Sequence, residues 1–227
     1  RHGPLVGGPR PLYAQAVDRL RSPGARVIAL DMFFDAPRAE DSGLIDAIAR
    51  AGNVVFPVEG QGPGAFHPRP GVVQDFDVFV RATPRIAAAA VAEGSVNVTT
   101  DRDTVVRSLP LLLESGERML PSFSLAVVSR FIRRADILDQ EPTSALIYAA
   151  GRTIPVIDNG GMLINYSGPP SSRGAGGSFP IIAFVDVING SLDESLIRDK
   201  IVLLGLTIRG IDEFATPTTS TTGLWGV

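Results

Sequence analysis

RVIALDMFFDAP, residues 26–37, is the stretch whose reading decides the fold. Val27, Ile28, Ala29 and Leu30 form an unbroken apolar run behind the turn-forming pair Pro23-Gly24. A short apolar run without polar alternation fits a strand covered on both faces, as in a parallel sheet with helices on either side. Asp31 interrupts the run, Phe33 and Phe34 follow, and Asp35-Ala36-Pro37 closes it. Ligands of open α/β sheets collect beyond the carboxyl ends of the strands, so these two carboxylates mark the first place to look for function.

Working outward, Leu12, Tyr13, Ala16, Val17 and Leu20 share one helical face ahead of this strand, and residues 1–11 read as an extended lead-in. Behind it, Asp41-Ser42 is read as the cap of a second helix with a buried stripe of Leu44, Ile45, Ile48 and Ala49. Gly52 ends that helix, and Asn53–Val58 is the next strand. Strand, helix and strand in succession make a βαβ unit with parallel pairing. Residues 59–77 form a long Gly- and Pro-rich connection.

Farther on, Thr83-Pro84 opens a helix over 85–93 ended by Gly94, and strands 95–99 and 105–113 read as an antiparallel hairpin around Asp101–Thr104. Pro121 opens a deeply apolar helix to about Arg134. Three short strands follow at 146–149, 153–157 and 162–165, separated by Gly151-Arg152 and Asn159-Gly160-Gly161. Helices over 180–187 and 192–198 precede a second fully apolar strand, Lys200–Leu204. The fold class is therefore α/β: one three-layer domain over 1–227, with a mixed sheet of parallel centre, antiparallel hairpin additions and helices on both faces.

Composition narrows the function. Net charge is -3 without a Lys/Arg stripe, so no nucleic acid partner is expected. There is no cysteine, which excludes disulfides, thiol nucleophiles and thiolate-bound metals. The two histidines, His2 and His67, lie beside Gly or Pro with no supporting motif. No apolar run approaches the ~20 residues of a membrane span. The chain opens on Arg1 rather than Met and is read as a piece of something longer.

Four stretches in order carry a family resemblance: PLYAQAVDRLRSPGARVIALDMFFDAP (11–37), GSVNVTTDRDTVVRSLPLLL (94–113), LINYSGPP (163–170) and KIVLLGLTIRGIDEFATP (200–217). Together they resemble the second type of CHASE domain, the extracellular sensory module of bacterial adenylate or guanylate cyclases, histidine kinases and related signalling proteins. The resemblance implies a non-catalytic, extracytoplasmic (periplasmic or extracellular) domain that senses a small molecule. It also implies a tether to the membrane through flanking spans, with Arg1 and Val227 emerging on one side. A homodimer is expected, and no cofactor or metal.

The residues that could contact a ligand are Asp31, Phe33, Asn97, Arg107, Asn165, Tyr166 and Asp212. Five acids from Asp31 to Asp46 could serve a metal-dependent phosphohydrolase acting through Asp31 and Asp35. Their plainer reading is loop and cap chemistry, which is what aspartate favours. Arg107, between Val105, Val106 and Leu109, reads as a cation in need of a partner. That partner is Asp31, Asp103 or Asp212 in a structural pair, or else a ligand carboxylate or phosphate. A ligand-free dimerisation module is the third alternative.

Overall fold

The computed structural model describes residues 8–62, 65–66, 72–74, 76–115, 118–134, 136–143, 145–157, 160–168, 178–206, 213–218 and 224–225. Its first half runs α1 (Arg10–Arg21), β1 (Val27–Leu30), α2 (Asp41–Ala51), β2 (Val54–Gln61), β3 (Ala65–Phe66), β4 (Val73–Gln74), β5 (Val78–Arg81), α3 (Pro84–Ala87) and β6 (Ala92–Ser95). After these come β7 (Ser108–Pro110), β8 (Leu112–Ser115), β9 (Arg118–Pro121), α4 (Phe123–Phe131), β10 (Leu146–Ala149), β11 (Arg152–Pro155) and β12 (Gly161–Leu163). The chain closes with α5 (Phe184–Asn189), a 3-10 turn at Glu194–Leu196, β13 (Ile201–Leu204), β14 (Glu213–Phe214) and β15 (Leu224–Trp225).

β1 is the centre. All four of its residues are buried, because each face meets helices. Ile28 and Leu30 join Val54 and Phe56 of β2 against α1, α2, α3 and α5. Val27 and Ala29 join Val55 and Ala92 against α4. This is the expected three-layer arrangement, and full burial of a Val, Leu or Ile contributes roughly 1.5–3 kcal/mol each. β1 is parallel to β13 on one side and to β2 on the other, in the registers Val27↔Ile201 and Ile28↔Val54. β6 lies parallel on the far edge of β2, where Val55 meets Ala92. Because Val58 pairs with Arg81 and also with Ser95, β5 must follow β1 along the same edge of β2. The antiparallel β5 thus takes over where β1 leaves the sheet.

Helix ends follow local chemistry. Gly52 and Gly190 stop α2 and α5 in the left-handed conformation that glycine tolerates. Ser122 caps α4 by accepting from the Leu125 amide. A second apolar cluster, built around Leu111, Leu112, Leu125 and Ile147, sits under the small sheets.

Several sequence expectations are corrected. Arg10 belongs to α1 and not to an extended lead-in, with Pro11 fitting the first helical turn. The alanine-rich stretch after Pro84 does not stay helical to Glu93. α3 stops at Ala87, and the Val91 amide bonds the Val54 carbonyl to start β6. Helix propensity yields there to the open edge of β2. Consequently the 95–99/105–113 hairpin is not formed as such: β6 pairs with β2, and only the Thr99↔Ser108 bridge links the two segments. β10 and β11 form the expected hairpin, but β12 pairs with β7 instead of continuing it. The helix expected from Pro180 begins at Phe184, and that over 192–198 is a single 3-10 turn. In α2 the buried residues include Ala47, while Ile45 is half-buried and Ala49 exposed. Val128 and Ile132 of the deeply apolar helix face out, and Leu203 is 52% exposed because β13 is the sheet edge.

Gly94 sits where β6 passes under the start of α4, and a Cβ there would lie 2.6 Å from the Phe123 Cα. Backbone cannot yield as a flexible side chain can. Gly94→Ala is expected to destabilise the fold by about 1–3 kcal/mol, the usual cost of overpacking. Urea denaturation of the two proteins measures it; unchanged midpoints would show that β6 and α4 are not held this closely.

Candidate functional site

Where β1 ends, the Asp31 amide donates to the Leu204 carbonyl at 2.8 Å, the last rung to β13. Met32 and Phe34 then turn inward, and Phe33 is half-buried. The Phe34 ring carries the Arg10 guanidinium 4.5 Å above its centroid and meets Tyr13 and Phe56 edge-on. Arg10 is only 2% exposed, so its charge needs partners. Its Nε donates to Asp41 Oδ1 at 2.7 Å and its Nη2 to the Ala36 carbonyl at 2.9 Å. The Arg38 amide donates to Asp41 Oδ2 at 2.9 Å. Asp41 is therefore not the helix cap that its position suggests; Glu40 occupies that place without a side-chain bond. Burial alone would raise the Asp41 carboxyl, but the Arg38 amide and the Arg10 guanidinium together hold it below its ordinary value.

Arg107 is not the buried cation. Its side chain is 41% exposed and closes a turn of acids. Nη1 donates to Asp101 Oδ2 at 2.6 Å and to Asp103 Oδ1 at 2.9 Å, while Nη2 donates to Asp103 Oδ2 at 2.8 Å. Of the three structural partners considered, Asp103 is the one used, joined by Asp101. The guanidinium beside it holds the Asp103 carboxyl down at about 2.

Tyr166 donates to the Val106 carbonyl at 2.8 Å, and the Ile164 amide to the Arg107 carbonyl. The Val106 amide in turn bonds the Ala215 carbonyl. Arg107, Asn165 and Tyr166 thus come together on adjacent segments, with Asn165 exposed. Asn97 stands on Gly60 of β2: its Oδ1 accepts from the Gly60 amide and its Nδ2 donates to the Gly60 carbonyl. Asp212, His2, His67 and both chain termini lie outside the described residues.

Two clefts flank the Arg81–Glu93 ion pair, which spans β2 from β5 to β6. One, of about 640 Å³, opens beside Asp35 and Pro37, with Thr83, Pro84 and Ala88 opposite. The Thr83 amide bonds the Phe34 carbonyl at its base. The other, of about 330 Å³, lies between Phe79, Met119 and Ile137.

The sequence model of the CHASE2 domain matches residues 7–226. The chain belongs to the CHASE2 family. No curated protein and no solved structure matches it. CHASE2 domains are extracytoplasmic sensory domains and typically non-catalytic. Among the described residues of this CHASE2 domain, no three His, Asp or Glu side chains converge to hold a metal ion. No described helix is long and apolar enough to cross a membrane.

Arg10 escaped the sequence reading. The signal was present, since residues 10, 13, 17 and 20 share the helical face assigned to α1. Arg81 and Glu93 also went unnoticed, because nothing in their spacing announces a pair across an intervening strand.

Asp41→Asn leaves the Arg10 charge buried beside a neutral amide and is expected to cost about 3 kcal/mol, whereas Arg107→Ala should lower the melting temperature less, because its ion pairs are exposed to solvent. Because the folded Asp41 carboxyl lies below its usual ~3.9, its stabilisation is present above that range and is lost as pH falls through the lowered value. Urea titrations across pH 2–7 should show this acid limb flattened in Asp41→Asn. By carboxyl NMR, Asp103 should titrate near 2 in the native protein and return toward ~3.9 in Arg107→Ala.

Proposed function

We propose that this CHASE2 domain is the ligand-sensing part of a bacterial transmembrane signalling receptor with an adenylate or guanylate cyclase, histidine kinase or similar enzyme on its cytoplasmic side. In this reading flanking spans tether the domain to the membrane, two copies work together, and a small molecule binds in the cleft beside Asp35. The observation that carries it is the position of that cleft, beyond the carboxyl end of the central strand, where α/β sheets take ligands. Asp31 and Phe33 precede Asp35 on the exit from β1, and Asn97, Arg107 and Tyr166 belong to the proposed set of ligand contacts. Asn165 and Asp212 are proposed as further ligand contacts, Asp212 lying outside the described residues.

Sensing needs only that the ligand prefer one of two arrangements of the domain, since the output cannot shift by more than that difference in affinity. The loop that forms the cleft wall is pinned through Ala36 and Arg38 to the Arg10–Asp41 pair. A ligand that moves the wall therefore acts on the contact between α1 and α2.

A thermal-shift panel of small metabolites on the chain, followed by effector assays on the membrane-embedded parent protein, tests the proposal. A ligand at a hundred times its Kd should stabilise by about 2.7 kcal/mol. Ala88→Trp, which fills the mouth of the cleft from an exposed position, should abolish both the shift and the change in output. A ligand that raises the melting temperature equally in Ala88→Trp, or that leaves the output unchanged, would overturn it.

A further inference from the structure

The arginines that shape this part of the molecule have acids to match. Arg10 has Asp41, Arg81 has Glu93, Arg107 has Asp101 and Asp103, and Arg134 has Asp139. Arg130 differs. It lies half-buried in the last turn of α4, next to the buried Ser129. Its Nε is buried and has no acceptor among the described residues. It forms part of the wall of the 330 Å³ cleft, about the lower limit of small-molecule sites.

The rest of that wall is mostly apolar, from Phe79, Met119 and Ile137. Glu93 is present but engaged, because its two oxygens accept from Nε and Nη2 of Arg81. The pair cancels, and the cleft keeps one net positive charge on a planar, fork-shaped donor. A guanidinium in that setting recognises a carboxylate through two parallel hydrogen bonds, strengthened by the low-polarity surroundings. A cation held partly out of water without an acceptor for its Nε among the described residues is also a stability cost, one that an anionic ligand removes.

The geometry points to a second binding site, separate from the cleft at Asp35, that takes a monocarboxylate with an apolar aryl or short alkyl body. The carboxylate lies on Arg130, and the body lies between Phe79, Met119 and Ile137. Because Arg81 and Glu93 line both clefts, occupancy of one bears directly on the wall of the other. The site stands independently of the sensory proposal, which requires a change in output; here binding alone is claimed.

The test uses phenylacetate and its neutral isostere phenylacetamide as probes, with isothermal titration calorimetry and thermal shift on the full chain. Phenylacetate should bind at least tenfold more tightly than the amide, and more weakly as salt is raised. Arg130→Met should lose that preference while melting, without ligand, at the same or a higher temperature, since it removes a half-buried charge whose Nε has no acceptor among the described residues. Arg130→Lys should retain part of the preference. Met119→Trp, which fills the apolar half, should weaken both probes, and Ala88→Trp should weaken neither. Equal binding of the acid and the amide overturns the site, as does phenylacetate affinity unchanged in Arg130→Met. Binding that survives these controls supports the site whether or not receptor output changes, since the sensory reading rests on the cleft at Asp35.

Discussion

A guanidinium buried on an aromatic ring organises the working end of this molecule. Arg10 lies over Phe34, bonds Asp41 and holds the Ala36 carbonyl, so one charge joins the start of α1, the exit of β1 and the start of α2. Removing such a charge from water is tolerable only when every side of it is satisfied. The ring face, the carboxylate and the carbonyl do this together, and each fixes a different segment. The loop over residues 35–40 inherits its course from that arrangement. An exposed acidic loop is thereby given a defined shape, as a binding wall requires.

The sheet supplies the second constraint. β2 is longer than β1, so its upper half would be left with unpaired backbone groups on one edge. β5 fills that edge from the opposite direction, in the register Val58↔Arg81. This substitution brings Arg81 onto the same face as Glu93, two strands away, and opens a cleft on either side of the resulting ion pair. The clefts follow from the need to satisfy the backbone of β2, and their polar partition follows from which residue of β5 falls in register with Val58.

For a sensory domain this layout has a mechanical sense. α4 packs on β1, β2 and β6 from one face, and α1 and α2 pack from the other. The cleft beside Asp35 borders the α1–α2 side, while Arg130 belongs to α4. Ligands at the two clefts would thus press on opposite layers of one sheet, sharing only the Arg81–Glu93 pair. Packed layers shift as units, because close-packed interiors transmit small displacements instead of absorbing them.

How much of this was legible beforehand depended on the range of the interaction. The apolar run Val27–Leu30, the turn at Pro23-Gly24 and the stops at Gly52 and Gly190 are statements about neighbouring residues. The sequence alone therefore determined the βαβ start, the three-layer class and, through four ordered stretches, the CHASE2 family. Arg107 shows the limit: its flanking valines suggested burial, yet it sits at a turn where Asp101 and Asp103 meet it in solvent. Arg10, seemingly in an open lead-in, is the buried cation, because Asp41 and Phe34 reach it only after α1 and α2 pack together. The alanines after Pro84 carry helix propensity, but the unpaired edge of β2 draws residues 92–95 into a strand. Tertiary structure decided which charge is buried, which acids answer it and where the clefts open. Each of these is an electrostatic or backbone-pairing demand met by a residue far away in the chain, and no local pattern encodes such a partner.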